Sequence, residues 1–92
     1  MIRITVKIYA ILREELGWKE KVMEMKEGST LMDLLNEIPE LKNLIFRDNN
    51  IHENYRIFIN GRYIGFLSGI DSELRNGDII AIFPAMAGGS LL

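Results

Sequence analysis

Between Thr30 and Pro39 the chain carries one strong helical pattern, set among stretches that alternate like strands. Leu31, Leu34, Leu35 and Ile38 recur at i, i+3, i+4 and i+7, which places them on one face of an amphipathic helix. Thr30 can accept from the backbone three residues on while Asp33 reaches back, a variant of the capping box. Pro39 limits the helix, because proline lacks an amide hydrogen and disfavours helix in the residue before it. A leucine stripe of this kind has to be buried, and the rest of the chain offers only a sheet to bury it. The pattern predicts an α+β fold in which one main helix covers one face of a mixed sheet.

The strands of that sheet are legible from their period. Ile2, Ile4, Val6 and Ile8 alternate with Arg3, Thr5, Lys7 and Tyr9, as in a half-buried strand, with Tyr9 on the outer face. Residues 10–17 read as a turn or short helix. Residues 22–26 alternate again, with Met23 and Met25 inward, so the first two strands form a hairpin with a wide loop. Leu41, Leu44 and Ile45 predict one further helical turn, and residues 47–54 a polar surface loop. Residues 55–59 form a strand, Asn60-Gly61 is a strong hairpin signal, and residues 62–64 return beside it. Residues 65–74 are irregular, with one short turn around Ser72. Asn76-Gly77-Asp78 makes a second tight turn before a last strand over residues 79–83. Periodicity gives about five strands and does not fix their order.

Composition bounds the chemistry. At 92 residues and 48% apolar content, the chain is expected to form one folded domain with a modest core. Its net charge is −2 and its Lys and Arg are dispersed, which argues against nucleic acid as a partner. With no cysteine there is no disulfide or thiol chemistry, and structural zinc lacks its usual ligands. The absence of disulfides fits the cytoplasm. No basic segment followed by an apolar run opens the sequence, and no apolar run approaches ~20 residues, so neither a signal peptide nor a membrane span is expected. A single histidine, His52, supports neither a catalytic triad nor a histidine-rich metal site. Ser90 has no neighbouring base, no Gly-Lys-Ser or Gly-Lys-Thr marks a P-loop, and Glu14-Glu15 and Asp71-Ser72-Glu73 read as solvated charges. No metal and no permanently bound cofactor are expected, and catalysis by the chain alone is not.

Behind the last predicted strand stand Phe83-Pro84-Ala85-Met86-Ala87-Gly88-Gly89, followed by Ser90-Leu91-Leu92. Gly88 and Gly89 reach dihedrals closed to other residues and let backbone pass close to a partner, while Ala85 and Ala87 keep the stem slim. A tail of this shape can thread a narrow channel and present a carboxylate to another protein's active site. The division expected is a folded domain over residues 1–84 and a flexible tail over residues 85–92.

Four segments then carry a family resemblance: Tyr9-Ala10-Ile11-Leu12-Arg13-Glu14, Glu27-Gly28-Ser29-Thr30, Ile59-Asn60-Gly61 and the run from Asn76 to Pro84. With the Gly-Gly pair they resemble the ubiquitin-like sulfur carriers of the MoaD/ThiS family, most of all the small subunit of molybdopterin synthase, over residues 2–89. The resemblance implies the β-grasp fold, a mixed sheet of about five strands curled around one helix with first and last strands adjacent and parallel. It also implies a function. The carboxylate of Gly89 would attack ATP on an E1-like activating enzyme, an adenylyltransferase, and sulfur would then displace AMP to leave a thiocarboxylate. The loaded tail would enter the large subunit of molybdopterin synthase and give its sulfur to a pterin precursor, building the dithiolene that binds molybdenum or tungsten. A carrier without cysteine needs some other attachment point, and an activated carboxyl supplies one. The family docks through apolar residues at positions matching Tyr9, Tyr63 and Phe83.

Two features depart from the pattern. Such carriers end at the second glycine, whereas here Ser90-Leu91-Leu92 displace a carboxylate by up to ~10 Å and add bulk. A processing protease that cuts after Gly89 would restore the tail. Ala85 stands where a second proline is usual. The alternatives to a carrier are a ubiquitin-like modifier joined to lysines through Gly89, or a binding or regulatory paralogue whose tail is never activated.

Overall fold

The computed structural model describes residues 1–85. The chain opens with strand β1 (Ile2–Ile8), helix α1 (Ile11–Leu16) and strand β2 (Glu20–Met25). Helices α2 (Leu31–Asn36) and α3 (Pro39–Ile45) follow, then two short strands, β3 (Phe46–Arg47) and β4 (Asn50–Ile51). Strands β5 (Tyr55–Ile59), β6 (Arg62–Tyr63) and β7 (Ile79–Pro84) complete the order.

Five strands form one mixed sheet in the order β2-β1-β7-β5-β6. β1 lies antiparallel to β2 and parallel to β7, and β7 lies antiparallel to β5. The first and last strands are therefore neighbours and parallel, as the resemblance implied. The wide loop between β1 and β2 is occupied by α1, which is anchored by the fully buried Leu12.

The predicted cap is present in both halves. Asp33 N–H donates to Thr30 Oγ1 at 3.2 Å, and Thr30 N–H donates to Asp33 Oδ2 at 2.9 Å. Leu31, Leu34, Leu35 and Ile38 are buried against the inner face of the sheet, where Ile4, Val6, Ile8, Ile57, Ile80 and Ile82 have no exposed surface. The helix stops earlier than the stripe predicts, for α2 ends at Asn36 with Glu37 as its C-cap. Ile38, expected on the helix face, is buried as the non-helical N-cap of α3, since Pro39 disfavours helix in the residue before it and opens the next run. What the sequence suggested as one more turn is the seven-residue α3, which buries Leu41 and Ile45. Proline suits the first turn of a helix, where its missing N–H is not needed.

The segment read as a plain polar loop is a small hairpin. β3 and β4 pair Phe46 with Ile51 and Arg47 with Asn50, and Asp48 and Asn49 turn between them at φ 52° and 63°. Asp and Asn tolerate the left-handed region because their side chains bond locally, so the pair forms a tight turn without glycine.

Two turns lock together to place β7. Gly77 N–H donates to Arg3 O at 2.9 Å, and Arg3 N–H donates to Asn76 Oδ1 at 2.8 Å, so the Asn76-Gly77-Asp78 turn sits on the start of β1. Asn60 Nδ2 donates to Asp78 Oδ1 at 2.8 Å, and Ile79 N–H donates to Asn60 Oδ1 at 2.9 Å. The two Asn-Gly turns noticed in the sequence thus clasp each other and set the register of the last strand against both neighbours.

Candidate functional site

The candidate site is the end of β7, the last part of the chain before the Gly-Gly segment that the structure describes. Phe83 and Pro84 are still paired with β5, Pro84 opposite Tyr55, and Ala85 N–H donates to Asn54 O. Backbone hydrogen bonds therefore hold the chain through Ala85. Met86, Ala87, Gly88 and Gly89, and with them Ser90-Leu91-Leu92, lie outside the described residues.

Period-two alternation turns Phe83 away from the buried Ile80 and Ile82, onto the outer face. There it meets Tyr9. The rings stack with centroids 4.3 Å apart and planes within 4°. Tyr9 is held in turn by Arg13, whose guanidinium carbon lies 4.8 Å from the Tyr9 ring centre while its Nε donates to Ile8 O at 2.7 Å. A sharp reversal makes this meeting possible. Ala10 sits at φ 56°, ψ −135°, a conformation normally left to glycine, and from it α1 starts back across the end of the sheet.

The aromatic contacts continue past Phe83. Phe58 presents its edge to Phe83 at 5.8 Å and packs on Tyr63 at 5.8 Å; Tyr63 meets Phe66 edge-on at 5.7 Å. Phe58 and Tyr63 are cross-strand partners, so they share a face. Gly65 makes room for Tyr63, since a Cβ there would stand 2.4 Å from Tyr63 Cε2. The result is one chain of five rings, Tyr9, Phe83, Phe58, Tyr63 and Phe66, running from the tail root to the β6 edge.

Tyr9, Tyr63 and Phe83, singled out in the sequence, are thus brought onto one surface, and Tyr63 also packs partly against the core. Phe58 and Phe66 were missed. Phe58 carried a signal, for it alternates with the inward Ile57 and Ile59. Phe66 carried none, because it belongs to a single 3-10 turn, Ile64–Phe66, in the irregular segment.

Arg13 and Arg56 flank the tail end of the ring chain. Arg56 stands opposite Phe83 in register, and its Nη1 donates to Tyr55 O at 3.0 Å. Both guanidiniums are steered by backbone carbonyls, and neither belongs to the ion pairs among the described residues, which are Arg3–Glu24 and Lys21–Glu40. His52 lies in the β4–β5 connection, where its Nδ1 accepts from Asn54 N–H at 3.1 Å. Among the described residues no His, Asp and Glu cluster is placed to hold a metal ion, and no helix is long and apolar enough to cross a membrane.

A mixed sheet with parallel first and last strands wrapped on a short helical layer defines the ubiquitin-like β-grasp class. Within that class the ThiS family model matches residues 6–89, and the chain belongs to this family. A candidate sulfur carrier protein of Archaeoglobus fulgidus is 36% identical over 61 residues, 64% of this chain and 69% of that one. Small archaeal modifier protein 3 of Haloferax volcanii is 26% identical over 92 residues, 96% of this chain and all of that one. Among solved structures, small archaeal modifier protein 1 of Methanosarcina acetivorans superposes with a TM-score of 0.76 at 31% identity, covering 97% of this chain and 98% of that one. A candidate molybdopterin converting factor subunit 1 of Pyrococcus furiosus gives 0.72 at 29% identity, with 94% and 100% covered. A chain of the BexX/CysO complex of Amycolatopsis orientalis gives 0.75 at 28% identity, with 94% and 99% covered.

Proposed function

We propose that this protein is a sulfur carrier whose cargo is a thiocarboxylate on Gly89, released for use by removal of Ser90-Leu91-Leu92, and that it serves as the sulfur-donating small subunit of a molybdopterin synthase. The observation that carries the reading is the clamped root of the tail. β7 pairs with β5 as far as Pro84, Ala85 N–H donates to Asn54 O, and the Tyr9–Phe83 stack braces the strand from the side. Gly89 stands four residues beyond Ala85, a reach of up to ~14 Å when extended, enough to enter a buried active site.

The chemistry divides between carrier and partners. The carrier supplies the reacting carboxylate and the surface that positions it, which lowers the entropic cost of bringing it to ATP. The activating enzyme supplies the catalytic groups. There the Gly89 carboxylate oxygen attacks the α-phosphorus of ATP and expels pyrophosphate. A sulfur nucleophile then adds to the acyl carbon and AMP leaves, giving the thiocarboxylate. The large synthase subunit receives the loaded tail, and ATP remains a substrate of the activator. The Pyrococcus furiosus converting factor supports the molybdopterin destination.

The test compares two forms, one ending at Gly89 and one continuing to Leu92, each with the activating enzyme of its own cell. Only the form ending at Gly89 should exchange pyrophosphate into ATP and gain the mass of sulfur for oxygen. Failure of that form to exchange would end the reading.

A second reading is favoured by the small archaeal modifier proteins among the relatives. The same acyl-adenylate can be taken by a lysine amine instead of sulfur, which would make the chain a protein modifier. Gly-Gly remnants on lysines of other proteins in tryptic digests of native cells would select it, and a thiocarboxylate without remnants would select the carrier.

A further inference from the structure

An asparagine followed by glycine is open to attack by its own backbone, because no Cβ shields the next nitrogen. This chain has two such pairs, Asn60-Gly61 and Asn76-Gly77, and both lie exposed in the clasp that seats β7. Their surroundings differ. At Asn76 the neighbouring nitrogen is occupied, since Gly77 N–H donates to Arg3 O at 2.9 Å. At Asn60 it is free: among the described residues Gly61 N–H meets no acceptor. The Asn60 side-chain carbonyl is also polarised, because Ile79 N–H donates to its Oδ1 at 2.9 Å. A donor there stabilises an oxygen on which negative charge develops.

We infer that Asn60 is a site of hydrolytic deamidation, and that its conversion opens the clasp. The inference rests on the fold alone and holds whether or not Gly89 is activated. Gly61 N–H gives its proton to hydroxide, and the nitrogen attacks Asn60 Cγ. The Cγ–Nδ2 bond breaks, and its nitrogen leaves as ammonia with a proton taken from water. Water then opens the cyclic imide. Opening at one carbonyl gives aspartate with the main chain intact, and opening at the other sends the main chain through Cβ as isoaspartate. The attack needs a brief opening of the exposed turn. At Asn76 the same opening must also break the Gly77 bond to Arg3.

Either product removes the donor of the clasp. Asn60 Nδ2 donates to Asp78 Oδ1 at 2.8 Å, and a carboxylate in its place sets two negative groups against each other. Asp78 is not free to turn away, for its Oδ2 accepts from Arg75 N–H at 2.8 Å. Isoaspartate also lengthens the turn that sets Arg62 opposite Ile59. The change is then felt along β7, which the clasp holds between β1 and β5. Asn76 is different. Its Oδ1 accepts from Arg3 N–H, and an aspartate oxygen would accept as well.

The experiment incubates the full chain at mildly alkaline pH, folded and in denaturant, and follows both pairs by peptide mapping. In the folded chain Asn60 should convert several-fold faster than Asn76, and in denaturant the two should convert alike. Asn60→Asp should lower Tm by about 5 °C, and Asn76→Asp should change it little. Asn60→Asp combined with Asp78→Asn exchanges donor and acceptor and should recover most of the loss. A folded chain in which Asn76 converts as fast as Asn60, or a preference for Asn60 that persists in denaturant, would overturn the site. An Asn60→Asp protein that melts with the parent, or a double variant no more stable than the single one, would overturn the opened clasp. Should the single variant not fold, aged parent separated by charge is melted in its place, and a Tm equal to that of fresh protein would overturn it.

Discussion

The two faces of the sheet are built from the same strands and from different chemistry. Toward the helices, β1, β5 and β7 present Ile4, Val6, Ile8, Ile57, Ile80 and Ile82, and the buried hydrophobic core is aliphatic apart from Met25. Away from the helices the same strands, with their flanks, present Tyr9, Phe58, Tyr63 and Phe83. The chain has one Trp, three Tyr and four Phe, and none is in the buried core. Aliphatic side chains interdigitate at high density between a sheet and short helices, which gives stability without specific edges or polar tips. Aromatic rings keep large rigid area and some polarity in reserve, which suits a surface that is covered only part of the time. The fold is held by the inner face, and the aromatic rings stay at the surface beside the end of β7.

That contrast can be broken by substitution. Ile82→Ala, on the central strand and with no exposed surface, should cost about 3 kcal/mol in urea unfolding through lost transfer energy and a residual cavity. A loss below ~1 kcal/mol would mean the inner face is not what holds the domain. Gly65→Ala puts a methyl where only 2.4 Å separates it from the Tyr63 ring, so the ring must move and stability should fall by about 1–2 kcal/mol. Ring-proton contacts between Tyr63 and Phe66 should vanish from the NMR spectrum, and their persistence would show that the ring chain is not wedged there. Thr30→Ala removes one half of the capping box and should cost about 1 kcal/mol in the same unfolding assay. Ala10→Gly should act in the opposite direction, raising stability by roughly 0.5 kcal/mol, because glycine relieves a backbone strained at φ 56°. The smallest effect is expected at the outermost ring. Phe66→Ser should change unfolding by no more than ~0.5 kcal/mol, and a larger loss would place Phe66 with the core rather than on the exposed outer surface.

Much of this architecture was readable along the chain. The Ile2-to-Ile8 alternation, the Thr30 and Asp33 cap and both Asn-Gly turns are local patterns that formed where their period or turn chemistry said, and the leucine stripe did so through Leu35, with Ile38 buried just beyond the helix. The β3–β4 hairpin escaped notice because Asp48 and Asn49 make a glycine turn without glycine. Helix α3 looked like a single turn because Pro39 was read as a stop, although it also serves as a start. The outward setting of Tyr9 and Phe83 and the place of Tyr63 after the hairpin turn are legible in the sequence, while Arg13 stands there only as part of a motif. Its guanidinium reaches Tyr9 because Ala10 reverses the chain, and no residue type announces that reversal.

The sequence by itself determined which residues face in, where the helix begins, where the chain turns and that a slim Gly-Gly segment follows the last strand. Those properties depend on neighbours a few residues apart, so period and turn chemistry suffice to fix them. Only the tertiary structure decided that β7 lies between β1 and β5, and hence that Tyr9, Phe58 and Phe83 touch. Such contacts join residues dozens of positions apart, and they arise when burial of the shared aliphatic face selects one strand order from several that the same local patterns would allow.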